Sequence, residues 1–194
     1  MPRRTVLAAC FALLVAAPAT TAIAADMTPA AIVEALKGGG HVIYFRHGAT
    51  TYPGVDRIEW PRSRQRLLSE RGITQSRMIG AAFERHAIPV GEVLASPFAR
   101  CRDMAEIAFG RVEERMELLG LLSDTEGRAD RVAFLRSKLA DPPGPAGNRI
   151  LVSHTSNIRE VAGVRLCEGE AVVVRPRGEG DGFAVLGTLM PEDW

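Results

Sequence analysis

Three short apolar runs, VIYF at 42–45, VLAS at 93–96 and ILVS at 150–153, are spaced through the chain with helix-patterned segments between them. Such runs, rich in β-branched, aliphatic and aromatic residues and without the polar alternation of a half-exposed strand, specify strands covered on both faces. Strands that alternate with helices pair in parallel and are joined by right-handed crossovers. The helices have their own signals. Thr28 caps a helix with apolar positions at Ile32, Val33 and Leu36 and a glycine stop at 38–40, and Ser69 caps a second with Ile73, Ile79 and Phe83 on one face, running to about His86. FARCRDMAEIAFG, RADRVAFLRSKLA and TSNIREVAG predict three more, the second stopped by the proline-rich DPPGPAGN. EAVVVRP and FAVLGTLM, joined by the glycine-rich RGEGDG, predict a closing strand hairpin. The expected fold is a three-layer α/β/α sandwich with a mostly parallel central sheet and the C-terminal strand pair at an edge.

With 194 residues, 46% of them hydrophobic, the chain suits one domain with a full core. The N-terminus stands apart. Arg3 and Arg4 precede an uncharged stretch that ends in Ala22-Ile23-Ala24, the pattern of a secretory signal peptide cut after Ala24. The expected organisation is therefore a signal peptide at 1–24 and a single domain at 25–194, periplasmic or secreted, with no stable membrane insertion after cleavage. Retention as an anchor is the alternative. The Leu7-Ala8-Ala9-Cys10 box comes too early in the apolar run for lipidation. Removing Arg3 and Arg4 moves the formal net charge from +1 to −1, and neither value suits a nucleic-acid binder. Arg57, Arg62, Arg64, Arg66 and Arg71 nevertheless crowd one segment, as a solvated surface or an anion-attracting rim. Cys101 and Cys167 have no motif spacing and give no basis for a metal site.

The residues that follow the three core strands carry the chemistry. VIYF runs into Arg46-His47-Gly48, VLAS into Pro97-Phe98-Ala99-Arg100, and ILVS into His154-Thr155-Ser156-Asn157. In open α/β sheets, ligands bind at the carboxyl ends of the strands. Parallel neighbours would bring two arginines and two histidines to one rim, the composition of a site for a dianionic phosphoryl group. Arginine presents a planar fork of permanently charged donors, Gly48 leaves room for close approach to the backbone, and a neutral imidazole can attack phosphorus. Arg100 falls in a helix's first turn, where a cation opposes the helix dipole unless an anion sits beside it.

Arg46-His47-Gly48-Ala49-Thr50, LSERGITQ, Ser96-Pro97-x-x-Arg100 and VSH at 152–154 occur in the order and spacing of the histidine phosphatase superfamily, formerly the phosphoglycerate mutase-like family, which the chain resembles over about residues 38–190. The resemblance implies that His47 is the phosphorylated nucleophile. It also implies a phosphate pocket of Arg46, Arg100 and His154, with no metal and no cofactor. The asparagine that mutases usually carry three residues after the first-motif threonine is Pro53 here, and the glycine after the second histidine is Thr155, which counts against a mutase. In phosphatases of the first branch a glutamate some two dozen residues beyond the second-motif arginine donates the proton. Here that window holds Asp124 and Glu126. The expected function is metal-independent hydrolysis of a small phosphorylated substrate, of the kind found in exported bacterial phosphatases of the superfamily. A mutase, or a phospholigand-binding protein without turnover, is the alternative. His154 is expected to stay protonated through an arginine-free contact with phosphate while His47 stays neutral, which gives an acidic to neutral optimum.

Overall fold

The computed structural model describes residues 27–123, 126–145 and 147–194. The expected signal peptide and Asp124 lie outside these residues. The described chain forms one six-stranded sheet, flanked on both faces by helices. The elements run α1 Pro29–Leu36, β1 Val42–Arg46, α2 Glu70–Arg85, β2 Val90–Ala95, α3 Ala99–Phe109, β3 Glu113–Glu114, α4 Arg128–Ala140, β4 Asn148–Ser153, α5 Thr155–Ala162, β5 Ala171–Pro176 and β6 Phe183–Leu189. Strand order is β3-β2-β4-β1-β5-β6. The three apolar runs thus become adjacent parallel strands, with β4 pairing β2 on one side and β1 on the other. β5 and β6 add the antiparallel edge pair, with β5 running against β1. The sequence did not announce β3, whose two residues are both exposed glutamates carrying no strand pattern.

Central strands fed by helices on both sides have no solvated face, and β1 shows it: Val42, Ile43, Tyr44 and Phe45 are all fully buried. Their side chains alternate between two cores. Ile43 and Phe45 pack with Ile32 and Leu36 of α1, Ile79 and Phe83 of α2 and Met104 of α3. Val42 and Tyr44 pack with Leu135 and Leu139 of α4 and Ile158 of α5. Helix caps fall where expected. The Thr28 hydroxyl accepts from the Ala31 N–H at 3.3 Å, and Ser69 Oγ accepts from the Gly72 N–H at 3.3 Å. Among the described residues no helix is long and apolar enough to cross a membrane, and Cys101 and Cys167 are both free thiols, one buried and one exposed.

The sheet also shows what Gly48 is for. A Cβ there would lie 3.1 Å from Gly72 Cα and from the Gly72 carbonyl oxygen, and a Cβ on Gly72 would lie 2.2 Å from the Ala49 carbonyl oxygen. The two glycines let the first turn of α2 press directly on the backbone leaving β1. On the side where a Cβ would point, the backbone that approaches Gly48 is therefore that of a helix.

Candidate active site

β1, β2 and β4 end at the same rim, and the residues after them meet in a cleft of about 770 Å³ lined by Arg46, His47, Arg100 and His154. All four residues expected at the phosphate site from the strand ends are therefore brought together. The rings of His47 and His154 stand 5.5 Å apart, edge to face at 67°.

His47 is buried, and its backbone N–H continues the ladder to the Ser153 carbonyl at 3.0 Å. Its Nδ1 lies 2.9 Å from the Gly48 carbonyl oxygen. A carbonyl only accepts, so Nδ1 carries the hydrogen and a neutral ring keeps its lone pair on Nε2. Burial first, then the nearby Arg100 guanidinium, lowers the His47 pKa to about 3, against the opposing pull of the Gly48 carbonyl. The ring is thus fixed as one tautomer with a nucleophilic nitrogen.

His154 is held by its backbone and its ring. The Tyr44 hydroxyl of β1 donates to the His154 carbonyl at 2.8 Å, and the Tyr44 hydroxyl oxygen accepts from the His154 N–H at 3.1 Å. Ring Nε2 lies 3.0 Å from Ser96 Oγ, and Nδ1 lies 3.4 Å from an Arg100 Nη. A guanidinium only donates, so Nδ1 accepts and Nε2–H is left to donate to Ser96. Burial and then Arg100 push the His154 pKa well below the ordinary histidine value. This corrects the expectation of an arginine-free His154: Arg100 sits beside it and adds to burial in disfavouring the charged ring.

Arg100 lies in the first turn of α3, buried, with its guanidinium 4.2 Å over the Phe98 ring. The anion that such a position requires is supplied by the protein. Asp56 Oδ2 accepts from Arg100 Nη1 at 2.5 Å and from the Arg66 N–H at 3.0 Å, while Oδ1 accepts from the Arg57 N–H at 3.0 Å. Arg46 Nη1 donates to the Leu166 carbonyl at 2.9 Å, and Nη2 stands 3.6 Å from Glu168.

Asp56 and Arg66 both line the cleft, and sequence reasoning did not single either of them out. Arg66 belongs to the arginine-rich segment, which the fold divides. Arg57 and Arg66 reach the cleft, Arg62 makes a bidentate pair with Asp103 at 2.8 and 2.7 Å, and Arg64 stacks on Trp60. Asp56 follows Gly54 and Val55 in a loop with no periodicity, so nothing in the sequence marks it. Of the two acid candidates, Glu126 is exposed, its side chain does not line the cleft, and its carbonyl accepts from Arg131. Asp124 lies outside the described residues but follows Ser123, which does line the cleft. Among the described residues, no cluster of three or more His, Cys, Asp or Glu side chains is placed to hold a metal ion.

The buried neutral imidazoles make stability depend on pH. Both pKa values are lower in the folded than in the unfolded chain, so the unfolded chain binds more protons below about 6.5. Their contribution is complete above that pH and is lost as pH falls from there toward 3. Urea denaturation is expected to show a loss of roughly 2 kcal/mol from His47 between pH 7 and pH 5, with a further loss from His154 in the same direction, and His47→Asn is expected to flatten the slope. Equal slopes for the two proteins would contradict a neutral His47.

The family model of the histidine phosphatase superfamily, branch 1, matches residues 42–127. That span runs from β1 into the segment before α4 and contains Arg46, His47 and Arg100. The match spans 86 of the chain's 194 residues, a likeness over less than half of its length. His154 lies beyond the matched span and joins these residues through the pairing of β4 with β1. Histidine phosphatases are also found among solved structures of the same fold. The protein histidine phosphatase SixA, complexed with tungstate, is 17% identical, with 79% of this chain and 98% of that chain covered at a TM-score of 0.60. TTHB049 from Thermus thermophilus is 19% identical, with 77% and 99% covered and a TM-score of 0.53. A histidine-to-alanine mutant of phosphoserine phosphatase from Entamoeba histolytica, in complex with phosphoserine, is 11% identical, with 79% and 98% covered and a TM-score of 0.54. At these identities the likeness is one of fold. No curated protein matches the chain by sequence.

Proposed function

We propose that the chain is a metal-independent phosphomonoester hydrolase that works through a phosphohistidine on His47. The observation that carries this reading is the hydrogen bond from His47 Nδ1 to the Gly48 carbonyl, which leaves Nε2 as a lone-pair donor inside a cleft lined with arginine. In the first step Nε2 attacks phosphorus, the bond from phosphorus to the ester oxygen breaks, and that oxygen leaves with the electron pair and takes a proton. In the second step water attacks the phosphohistidine, the P–N bond returns its electron pair to Nε2, and phosphate leaves. Negative charge spreads over the nonbridging oxygens in both steps, and Arg46, Arg66 and Arg100 are the donors for it.

A bound dianion also changes the proton balance. It offsets the arginine field that, after burial, disfavours the charged imidazoles, so His154 gains a proton as the anion binds, and the site becomes cationic when the transferring group needs it. Asp124 is the proposed proton donor to the leaving oxygen, with Glu126 the other candidate; the same carboxylate then takes the proton of the attacking water. The export expected from residues 1–24 would place this activity outside the cytoplasm.

The test is release of inorganic phosphate from para-nitrophenyl phosphate by the purified chain, whose leaving group needs little protonation. Turnover without added metal, unchanged by a chelator and inhibited by tungstate, is the expected result. Tungstate binding without phosphate release would favour a phospholigand-binding protein, and transfer of the group to a second hydroxyl would favour a mutase.

A further inference from the structure

The cleft is far larger than a phosphate, and the walls above its arginine and histidine base are unusual for a water-exposed surface. Among the described residues six large hydrophobics are exposed: Tyr52, Val55, Met78, Ile107, Met116 and Leu122. Three of the six line this one cleft, Val55 at 74% exposure, Met116 at 58% and Leu122 at 84%, and two more apolar residues, Ile58 and Leu119, line it beside them. They come from two separate loops, β1–α2 and β3–α4. Scattered exposed hydrophobics need no explanation, but a convergence of them around a reaction centre marks a surface that a ligand covers.

Several polar groups on the same walls already have partners within the protein. Arg57 and Glu59 face each other at 3.6 Å. Thr155 Oγ1 accepts the Leu166 N–H at 3.1 Å, and Ser156 Oγ donates to Asn157 Oδ1 at 2.9 Å. Asp56 accepts from three N–H donors. Among the described residues no asparagine or glutamine lines the cleft. Apart from the imidazoles at its base, the neutral polar side chains among the described lining residues are the hydroxyls of Ser123, Thr155 and Ser156, a thin set for the several hydroxyls of a sugar phosphate, and sites that select hydroxylated substrates are built with more such partners.

On the reading that the cleft binds phosphomonoesters, we infer that its substrates carry an apolar leaving group, an alkyl or aryl alcohol seated against Val55, Met116 and Leu122, with the phosphate held below by the arginines. This names a substrate class that the arginines alone leave open, since they read only the phosphate.

A ladder of nonhydrolysable ligands tests it without relying on turnover. Isothermal calorimetry of the purified chain with methyl, butyl and hexyl phosphonate is expected to show affinity rising about twofold for each methylene that is partly buried, some thirtyfold from methyl to hexyl. Glucose 6-phosphate is expected to bind no tighter than inorganic phosphate. The double variant Met116→Ser, Leu122→Ser changes two exposed side chains outside the anion-binding base; it should keep its melting temperature and its affinity for inorganic phosphate while the ladder collapses to about threefold. Equal affinity for methyl and hexyl phosphonate in the wild type, or an intact ladder in the double variant, overturns the inference. If the ladder holds but hexyl phosphate and para-nitrophenyl phosphate release no phosphate, the hydrolase reading falls and the apolar wall stands. If turnover occurs without a ladder, only the apolar wall falls.

Discussion

Replacing His47 with alanine is expected to lower phosphate release by roughly four or more orders of magnitude and to abolish covalent labelling from a phosphodonor. No other group in the described cleft repeats its situation. His154, the second imidazole, accepts from Arg100 through Nδ1 and directs Nε2 at Ser96, so both of its nitrogens are engaged. Folding should survive, because the contact that continues the sheet at this position is made by the backbone, from the His47 N–H to Ser153. Removal of a buried, uncharged ring also relieves the stability loss between pH 7 and pH 5. The variant should therefore be inactive and yet less acid-sensitive than the parent, a pair of results that simple misfolding would not give. Label incorporation equal to that of the wild type would remove His47 from the chemistry.

Arg100→Ala is the second large effect, and it has two separable parts. The guanidinium donates toward a phosphoryl group whose charge grows as it loosens, so its loss should cut turnover by about two to three orders of magnitude for every substrate, aryl or alkyl. It also neutralises Asp56, which is buried with it, and breaking a buried pair from one side costs about 3–5 kcal/mol. The single variant should thus be both slow and unstable. Arg100→Ala combined with Asp56→Asn should recover most of the stability, measured by urea denaturation, while turnover stays low. Recovery of turnover along with stability would mean that Arg100 serves the fold alone.

The strands and helices were legible because their signals are local. A doubly covered strand must be apolar throughout, as VIYF and ILVS are, and a helix start must satisfy its free N–H groups, as Thr28 and Ser69 do. The meeting of His47, Arg100 and His154 was legible for a related reason, since parallel neighbours deliver their C-terminal residues to one rim. Asp56 was not, because its role arises only when a loop with no periodicity folds back onto α3, 44 residues further along the chain. The surroundings of His154 were misread for the same reason: the charges a residue meets depend on which neighbours the fold places beside it, and Arg100 is 54 residues away in sequence. The closeness of Gly72 to Gly48 was not legible because Gly72 belongs to a helix whose packing angle no pattern in the sequence records. β3 was missed because two glutamates pairing at a sheet edge carry no apolar signature.

The reciprocal hydrogen bonds between Tyr44 and His154 have a further meaning. Tyr44 stands three residues before His47 on the same strand, so the strand that carries one imidazole also grips the backbone of the other. The spacing of the two rings is gauged by a stretch of β1 in the middle of the sheet, as a jig sets two tools on one bar. Val55, Met116 and Leu122 hang from loops that take no part in that gauge. A lineage could exchange the walls repeatedly, trading one family of alcohols for another, without retuning the machine beneath them.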